Sequence, residues 1–488
     1  MVGVVVVLGF ALLLSAMYLF TRRPKQSYPY PPGPPQIVFV GNALDMPGAH
    51  KELKFSEWGK KYGGVTYLSV FGHPIIVLNT AKAAIDLLDK RSAIYSSRPH
   101  SHMADVMGYT RKLLNTALNS RTARTYWPIQ EKAVHSYLQR LLEAPADFRE
   151  HIKRTSGSIV LKIAYGYSLK ENDEVLVLAE KATDSFGRAV AGGYYVDYLP
   201  FRELSLWAAN TRKFVVEGRG FSVRIRETLF QYVKEQMAAG TVIPSFTSTL
   251  LEAQGTITGS DDEEALIKST AAILYGAGSD TTAATIASFV LAMTLNPDVQ
   301  KKAQAELDSV VGPDRLPTWN DRGSLPYIDA ILQETLRWNT ATPLGVPHAV
   351  IQDDIYEGNL IPSGATVISN IWAIMHDETE YENPFSFAPE RFLKVAPPTN
   401  PHDYAFGFGR RSCPGKDVAS ATVFMSIAST LHTFNIAKAR DASGREIEPT
   451  IGWTTGLVMH PTDYSATFTP RSDRAIELIR LANEENDL

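Results

Sequence analysis

The chain has 488 residues, 44% hydrophobic and 20% charged, an ordinary globular composition that excludes wholesale disorder. Its formal net charge of −4 argues against a nucleic-acid binder relying on a global positive field. The one cysteine, Cys413, excludes an intramolecular disulfide, a CxxC redox pair and a cysteine-rich zinc or iron–sulfur centre.

Val2 to Phe20 carries no charge and would span about 28 Å as a helix, roughly the hydrocarbon core of a bilayer. Arg22, Arg23 and Lys25 follow it, and the first acidic residue is Asp45. The pattern predicts a single-pass anchor over 2–20 with the body of the protein in the cytosol. A cleaved signal peptide fits less well, since no basic residue precedes the run and no A-x-A-like site ends it. Pro29, Pro31, Pro32, Pro34 and Pro35 favour polyproline II. They make 21–36 a basic, proline-rich linker ahead of a single catalytic body over 37–488.

Val65–Val70 and Ile75–Leu78 flank Gly72 and predict a β-hairpin. Ala81–Leu88 predicts a short helix, and residues 123–240 a mostly helical region broken near Gly192, Gly193 and Pro200. Glu263–Leu295 predicts a long apolar helix closed by Asn296-Pro297. Helices near 298–311 and 325–338 follow, then short strands, an irregular stretch over 379–412, a helix over 414–433 and a terminal strand pair. The expected fold is mainly α with small β-sheets. GxGxxG, a Walker P-loop, GxSxG and HExxH are all missing, so no motif holds NAD(P), ATP or a catalytic zinc. Electrons for any redox work would come from a separate protein.

Four local patterns carry chemistry. Phe406-Gly-Phe-Gly409-Arg410-Arg411-Ser412-Cys413-Pro414-Gly415 places glycines and arginines around the lone cysteine. A buried apolar cysteine would explain neither. Gly407 and Gly409 permit a tight turn, and Arg410, Arg411, Lys416 and the amides opening the next helix would stabilise a thiolate. Glu334 and Arg337 share a helix face at i,i+3; alone they read as a surface ion pair. Ala277-Gly278-Ser279-Asp280-Thr281-Thr282 puts an acid within an apolar helix, where it is costly without a reason. Thr340-Ala-Thr-Pro343-Leu-Gly-Val-Pro347-His348 follows the Glu334 helix.

Together these resemble the cytochrome P-450 haem-thiolate monooxygenases, with the flavour of fungal microsomal members. The family pattern F-x-x-G-x-R-x-C-x-G is matched by Phe406, Gly409, Arg411, Cys413 and Gly415. The resemblance implies haem b with Cys413 as axial iron ligand, Arg411 at a propionate and Phe406 packed near the ligand loop. It makes Glu334, Arg337 and the downstream Arg391 a buried structural triad. It makes 277–282 the oxygen-binding groove, a locally distorted helix in which Asp280 and Thr281 deliver protons. It makes His348 a second propionate contact. It lines the substrate pocket with Tyr275, Ala277, Thr282, Thr342, Leu344, Val346 and Leu457.

The family carries a longer segment where Met107-Gly-Tyr109 runs into Thr110-Arg111, including a Trp-x-x-x-Arg haem contact. Arg111 stands for that arginine, without the tryptophan. The implied activity is oxidation of hydrophobic small molecules, such as secondary metabolites or xenobiotics, at the endoplasmic reticulum membrane. It would use O2 and electrons from an NADPH-dependent flavoprotein reductase, with no nucleic acid involved. The alternatives are a haem-thiolate isomerase or dehydratase, which would usually lack the Asp280-Thr281 pair, and a haem-deficient variant caused by the shortened 107–112 region.

Overall fold

The computed structural model describes residues 28–99, 111–171, 173–190, 208–253 and 261–487. The anchor expected over 2–20, residues 21–27 of the 21–36 linker and the junction at 107–110 lie outside the described residues. So does the break expected near Gly192, Gly193 and Pro200. Among the described residues no helix is long and apolar enough to cross a membrane.

Helix α1 (Lys51–Tyr62) leads into a hairpin of β1 (Val65–Val70) and β2 (His73–Leu78), paired antiparallel from Val65↔Leu78 to Val70↔His73. Its two-residue turn, Phe71 (φ 49°) and Gly72 (φ 83°), has both central residues in the left-handed region, matching the twist of the strands. The expected helix from Ala81 is a four-residue α-turn, Ala81–Ala84, that widens into a π-helical turn over Ile85–Lys90.

The helical body comprises α2 (Trp127–Glu143), α3 (Phe148–Tyr165), α4 (Glu174–Val190), α5 (Ala208–Ala239), α6 (Phe246–Ala253), α7 (Asp261–Leu295), α8 (Pro297–Val310) and α9 (Pro326–Trp338). β3 (His348–Ala349), β4 (Asp354–Tyr356), β5 (Asn359–Ile361) and β6 (Thr366–Ser369) follow. They precede α10 (Lys416–Thr433), β7 (Phe434–Lys438), β8 (Ala466–Pro470) and α11 (Asp473–Asp487). One sheet has strand order β1-β2-β6-β3, and β4–β5 and β7–β8 form two-stranded sheets. The stretch expected to be irregular over 379–412 holds short helical turns at Pro389–Leu393, His402–Ala405 and Gly409–Arg411. Helix α11 was not anticipated.

The largest core cluster joins α2, α7, α8, α9 and α10. From Ala421 to Thr433, α10 is buried on every face, and α7 is likewise buried from Thr282 to Thr294. A helix apolar all round belongs at the centre of a large domain. Proline opens both α8 and α9, where its missing N–H costs nothing. The free amides of Tyr327 and Ile328 at the start of α9 donate to Glu306 of α8, at 2.9–3.1 Å. That carboxylate caps α9 from a neighbouring helix.

Glu334, Arg337 and Arg391 are 0%, 0% and 5% exposed. Arg337 grips Glu334 with two parallel bonds of 2.8 Å, and Arg391 Nε reaches Glu334 Oε1 at 3.2 Å. Two guanidinium groups against one carboxylate leave an excess positive charge in the core. Backbone carbonyls offset it. Arg337 donates to Met375, Pro384 and Ser386, and Arg391 to Glu382 and Ser386. Glu334 Oε1 also accepts from Ala388 N–H at 2.8 Å. The group pins residues 375–391, which have little regular structure of their own, to α9.

Arg337→Ala should cost about 3–5 kcal/mol, because it breaks a buried ion pair and leaves the carbonyls of Met375 and Pro384 without their donor, read as a lower denaturant midpoint or as loss of folded protein. Arg337→Lys should rescue little, since an ammonium cannot reproduce the two-pronged grip. Nearby, His376 stacks on Trp372 with ring centres 4.2 Å apart. Burial, and then the charge of Arg337, take its pKa down to about 3. The unfolded chain binds this proton near pH 6.5, whereas the folded chain stays neutral. The contribution of His376 is therefore whole above about pH 6.5 and lost as pH falls toward 3. Melting temperatures across that window should fall less steeply for His376→Gln than for the parent.

Candidate active site

The cysteine loop is built by backbone geometry. Gly407 (φ 72°) and Gly409 (φ 53°) turn the chain, and Cys413 N–H donates to Phe406 O at 2.7 Å. A Cβ on Gly409 would lie 2.1 Å from the Leu88 carbonyl oxygen. The need for glycine there is thus contact with the π-helical turn at 85–90. Phe406 rests on the main core cluster and tilts against His402 at 4.6 Å.

The Cys413 side chain has accessible surface yet is crowded by protein atoms, as befits a group on the wall of an internal space. Burial raises its pKa, opposed by the Gly415 N–H and the charges of Arg111 and Lys416. The sequence assigned this task to Arg410, Arg411, Lys416 and the amides opening the next helix, and of these Lys416 and the Gly415 N–H act on the thiol. Arg410 is exposed, and Arg411 turns aside to donate from Nε to Ser96 O at 2.7 Å. Arg111 takes that place, donating from Nη2 to Ser412 O at 2.6 Å. A thiol raised by burial becomes a thiolate readily only beside a strong local cation such as a bound metal.

Around this loop four cationic or ionisable groups converge. The bridge between Ser97 and Ala349, with Ala349 N–H donating to Ser97 O at 2.9 Å, sets Arg98 beside His348. Arg98 Nη1 donates to the carbonyls of Val346 and Pro347, while its Nε is buried without a partner. Burial, then the charges of Arg411 and Arg111, lower the Arg98 pKa to about 10. Arg111 is lowered by burial and by Arg411. His348 Nδ1 donates to Tyr95 O at 2.7 Å, and its pKa falls to about 4 through burial, then Arg98, with Arg411 adding to the effect. Among the described residues no carboxylate is hydrogen-bonded to any of the four.

Such a cluster is a receptor for anions. A haem carries two carboxylates and an axial position for one thiolate, so Cys413 and this cluster fit the group implied by the resemblance. Among the described residues no set of three or more His, Cys, Asp or Glu is placed to hold a metal, so a metal at Cys413 must bring most of its ligands with it. Arg98 was missed in the sequence. Its only signal was an Arg-Pro step in a stretch, 90–104, that lacks any acid.

On α7, Ala277 is exposed although Leu274, Tyr275, Ser279, Thr282 and Ala283 around it are buried. Thr281 lies one turn on, and its hydroxyl donates to Ala277 O at 2.8 Å. Thr282 and Thr285 make the same bond to the carbonyls of Gly278 and Thr281. The local distortion expected here is replaced by continuous α-helix over Asp261–Leu295, within which these hydroxyls bond carbonyls of their own helix. Gly278 serves packing: a Cβ there would stand 3.2 Å from Val160 Cγ2 of α3. Asp280, about 100° around the helix from Thr281, meets His460 with Oδ1–Nε2 at 2.9 Å.

The expected pocket residues divide. Ala277 faces open space, and Thr342 and Leu457 are half-buried. Val346 is exposed next to the Arg98 contact. Tyr275 is instead buried in the cluster that contains α3, with its hydroxyl near Gly157. Its helical phase sets it away from Ala277 and Thr281. Thr282 is buried, and Leu344 packs on the cluster of Phe55 and Trp58.

A family model described as Cytochrome P450 matches residues 31–468. The chain is 39% identical to cytochrome P450 monooxygenase claR of Ampulloclitocybe clavipes, covering 99% of this chain and 94% of that protein. It is 39% identical to cytochrome P450 monooxygenase 208 of Postia placenta, covering 98% of each. It is 36% identical to cytochrome P450 monooxygenase COX1 of Coprinopsis cinerea, covering 93% of each.

Arg98→Gln should act with opposite signs on the two forms of the protein. It relieves like-charge repulsion in the haem-free chain and so raises its melting temperature. It should weaken haem retention by about tenfold, as loss of a charged hydrogen bond does; apoprotein melting and haem transfer to an acceptor globin check the two halves.

Proposed function

The chain belongs to the cytochrome P450 family, and on that premise we propose that it is a membrane-anchored monooxygenase with Cys413 as the axial iron ligand. Members of this family are monooxygenases that bind haem b through a cysteine thiolate. The observation that carries the assignment of residues is the convergence of Arg98, Arg111, Arg411 and His348 beside Cys413. Arg98, Arg111 and Arg411 would hold the propionates. His348, kept neutral by burial, would donate or accept a hydrogen bond there according to tautomer. Arg111 belongs to this group despite the short segment preceding it, which favours a haem-binding protein over a haem-deficient one.

Bound haem supplies the dioxygen and one-electron chemistry. The protein supplies binding, orientation and protons. Thr281 holds its hydroxyl on the Ala277 carbonyl, at the exposed face of α7. Turned from that carbonyl, it can pass a proton toward the reacting oxygen while Asp280 replenishes it. The Asp280-Thr281 pair favours oxygen activation over an isomerase or dehydratase. Substrates would be hydrophobic small molecules, terpenoids, polyketides, steroids or polycyclic aromatics among them. Arg410 and Lys416 offer positive charge to a flavoprotein reductase that relays electrons from NADPH. Val2–Phe20 would anchor the protein in the endoplasmic reticulum membrane with its catalytic domain cytosolic.

The carbon monoxide difference spectrum of the reduced protein in isolated membranes tests this reading. A strongly red-shifted Soret band is expected, lost in Cys413→Ser, and released to the soluble fraction when residues 2–20 are removed. A band typical of a neutral axial ligand, or none, would exclude Cys413 thiolate ligation. With reductase added, Thr281→Ala should raise the peroxide released per NADPH oxidised.

A further inference from the structure

The connection between β7 and β8 doubles back at Thr454–His460. Thr454 N–H donates to His460 O at 2.8 Å, and His460 N–H donates to Thr454 Oγ1 at 2.9 Å. The turn is moored beside α9. Met459 N–H donates to Ala341 O at 2.8 Å. Met459 O accepts from Asn339 Nδ2 at 3.3 Å, and the same amide donates to Ser288 Oγ of α7 at 2.7 Å. His50 N–H reaches Thr455 Oγ1 at 3.3 Å.

From this moored turn His460 Nε2 extends to Asp280 Oδ1 at 2.9 Å, with the two side chains 27% and 33% exposed. A different element faces Asp280 with a second carboxyl group. Glu180 on α4 has its carboxyl raised by burial, then by the neighbouring charges of Glu150 and Asp280, against the pull of Lys153. Tyr275 also feels both carboxylates. Asp280 thus stands between the imidazole of His460 and the carboxyl group of Glu180, and its carboxylate contact is to the loop.

We propose that His460 is a positioning residue. It fixes the Asp280 carboxylate in the orientation from which Thr281 is served, and makes proton delivery depend on the seating of the 454–460 turn. This turn carries Leu457 and adjoins residues 341–346, both in the proposed substrate region. Occupancy of that region would therefore be sensed at Asp280. The inference rests on the proton-delivery reading of Asp280 and Thr281. A half-exposed ion pair contributes little to global stability, so its effect is sought in loop protection and in coupling.

The test uses full-length, haem-loaded protein with His460→Ala, His460→Gln, Asp280→Asn and the His460→Ala/Asp280→Asn double variant. Hydrogen exchange of the 452–462 amides is the first readout and needs no substrate. His460→Ala and Asp280→Asn should each speed exchange there, the double variant no more than either, and His460→Gln should keep protection because it retains a donor. Unchanged exchange in both single variants, or additive effects in the double, overturns the proposal.

The second readout is peroxide released per NADPH oxidised, with reductase and 7-ethoxycoumarin as probe. His460→Ala should raise it by about fivefold, the ceiling for such an ion pair, with the apparent probe KM unchanged. A rise in Thr281→Ala without one in His460→Ala overturns the role of His460 alone. No rise in either variant removes the proton-delivery reading, and the proposed role of His460 with it.

Discussion

Three guanidinium groups cannot share a half-buried space without something negative between them. Arg98, Arg111 and Arg411 each depend on a different part of the chain. Arg98 hangs from the Ser97–Ala349 bridge, Arg111 lies in a helical stretch against Ser412, and Arg411 lies in the turn before Cys413. Burial and mutual repulsion lower the pKa values of Arg98 and Arg111. Folding therefore assembles a charge imbalance that no carboxylate among the described residues relieves by a hydrogen bond, and on the proposed reading the haem propionates would complete it. The thiol of Cys413 shows the same incompleteness, since its surroundings favour the neutral form until a cation arrives.

The scaffold that tolerates this imbalance is held by an imbalance of its own that is fully relieved. The Glu334 triad also carries excess positive charge, yet four backbone carbonyls, one of them shared by both arginines, offset it. One cluster is closed and serves architecture; the other is open and serves binding. Two sets of arginines in one chain are distinguished by their supply of acceptors, not by their residue type.

Much of the fold was legible because it follows local rules. The hairpin at Gly72, the long helix ending at Asn296-Pro297 and the proline-started helices all came from period, caps and turn residues. Helix α11 was not anticipated, although Ser472 caps it and Ala475, Leu478 and Ile479 mark a buried face. In the site, residues inside a continuous motif were readable. Arg98 was not, since its role is created by a bridge between positions about 250 residues apart. Tyr275 was expected in the pocket through the family resemblance, whereas helical phase puts it and Ala277, two residues apart, on nearly opposite sides. The Asp280–His460 contact had no local signal either.

The close approach of Gly409 to Leu88 has a bearing on how this protein can vary. The cysteine loop and the π-helical turn meet backbone against backbone, so no side chain at the seam can be trimmed or enlarged to compensate for a change. The positions proposed for the substrate region, Val346, Leu457 and Ala277, carry side chains that can be changed one at a time. The seam offers no such gradation, and marks the boundary between what diversification can reshape and what it must inherit whole.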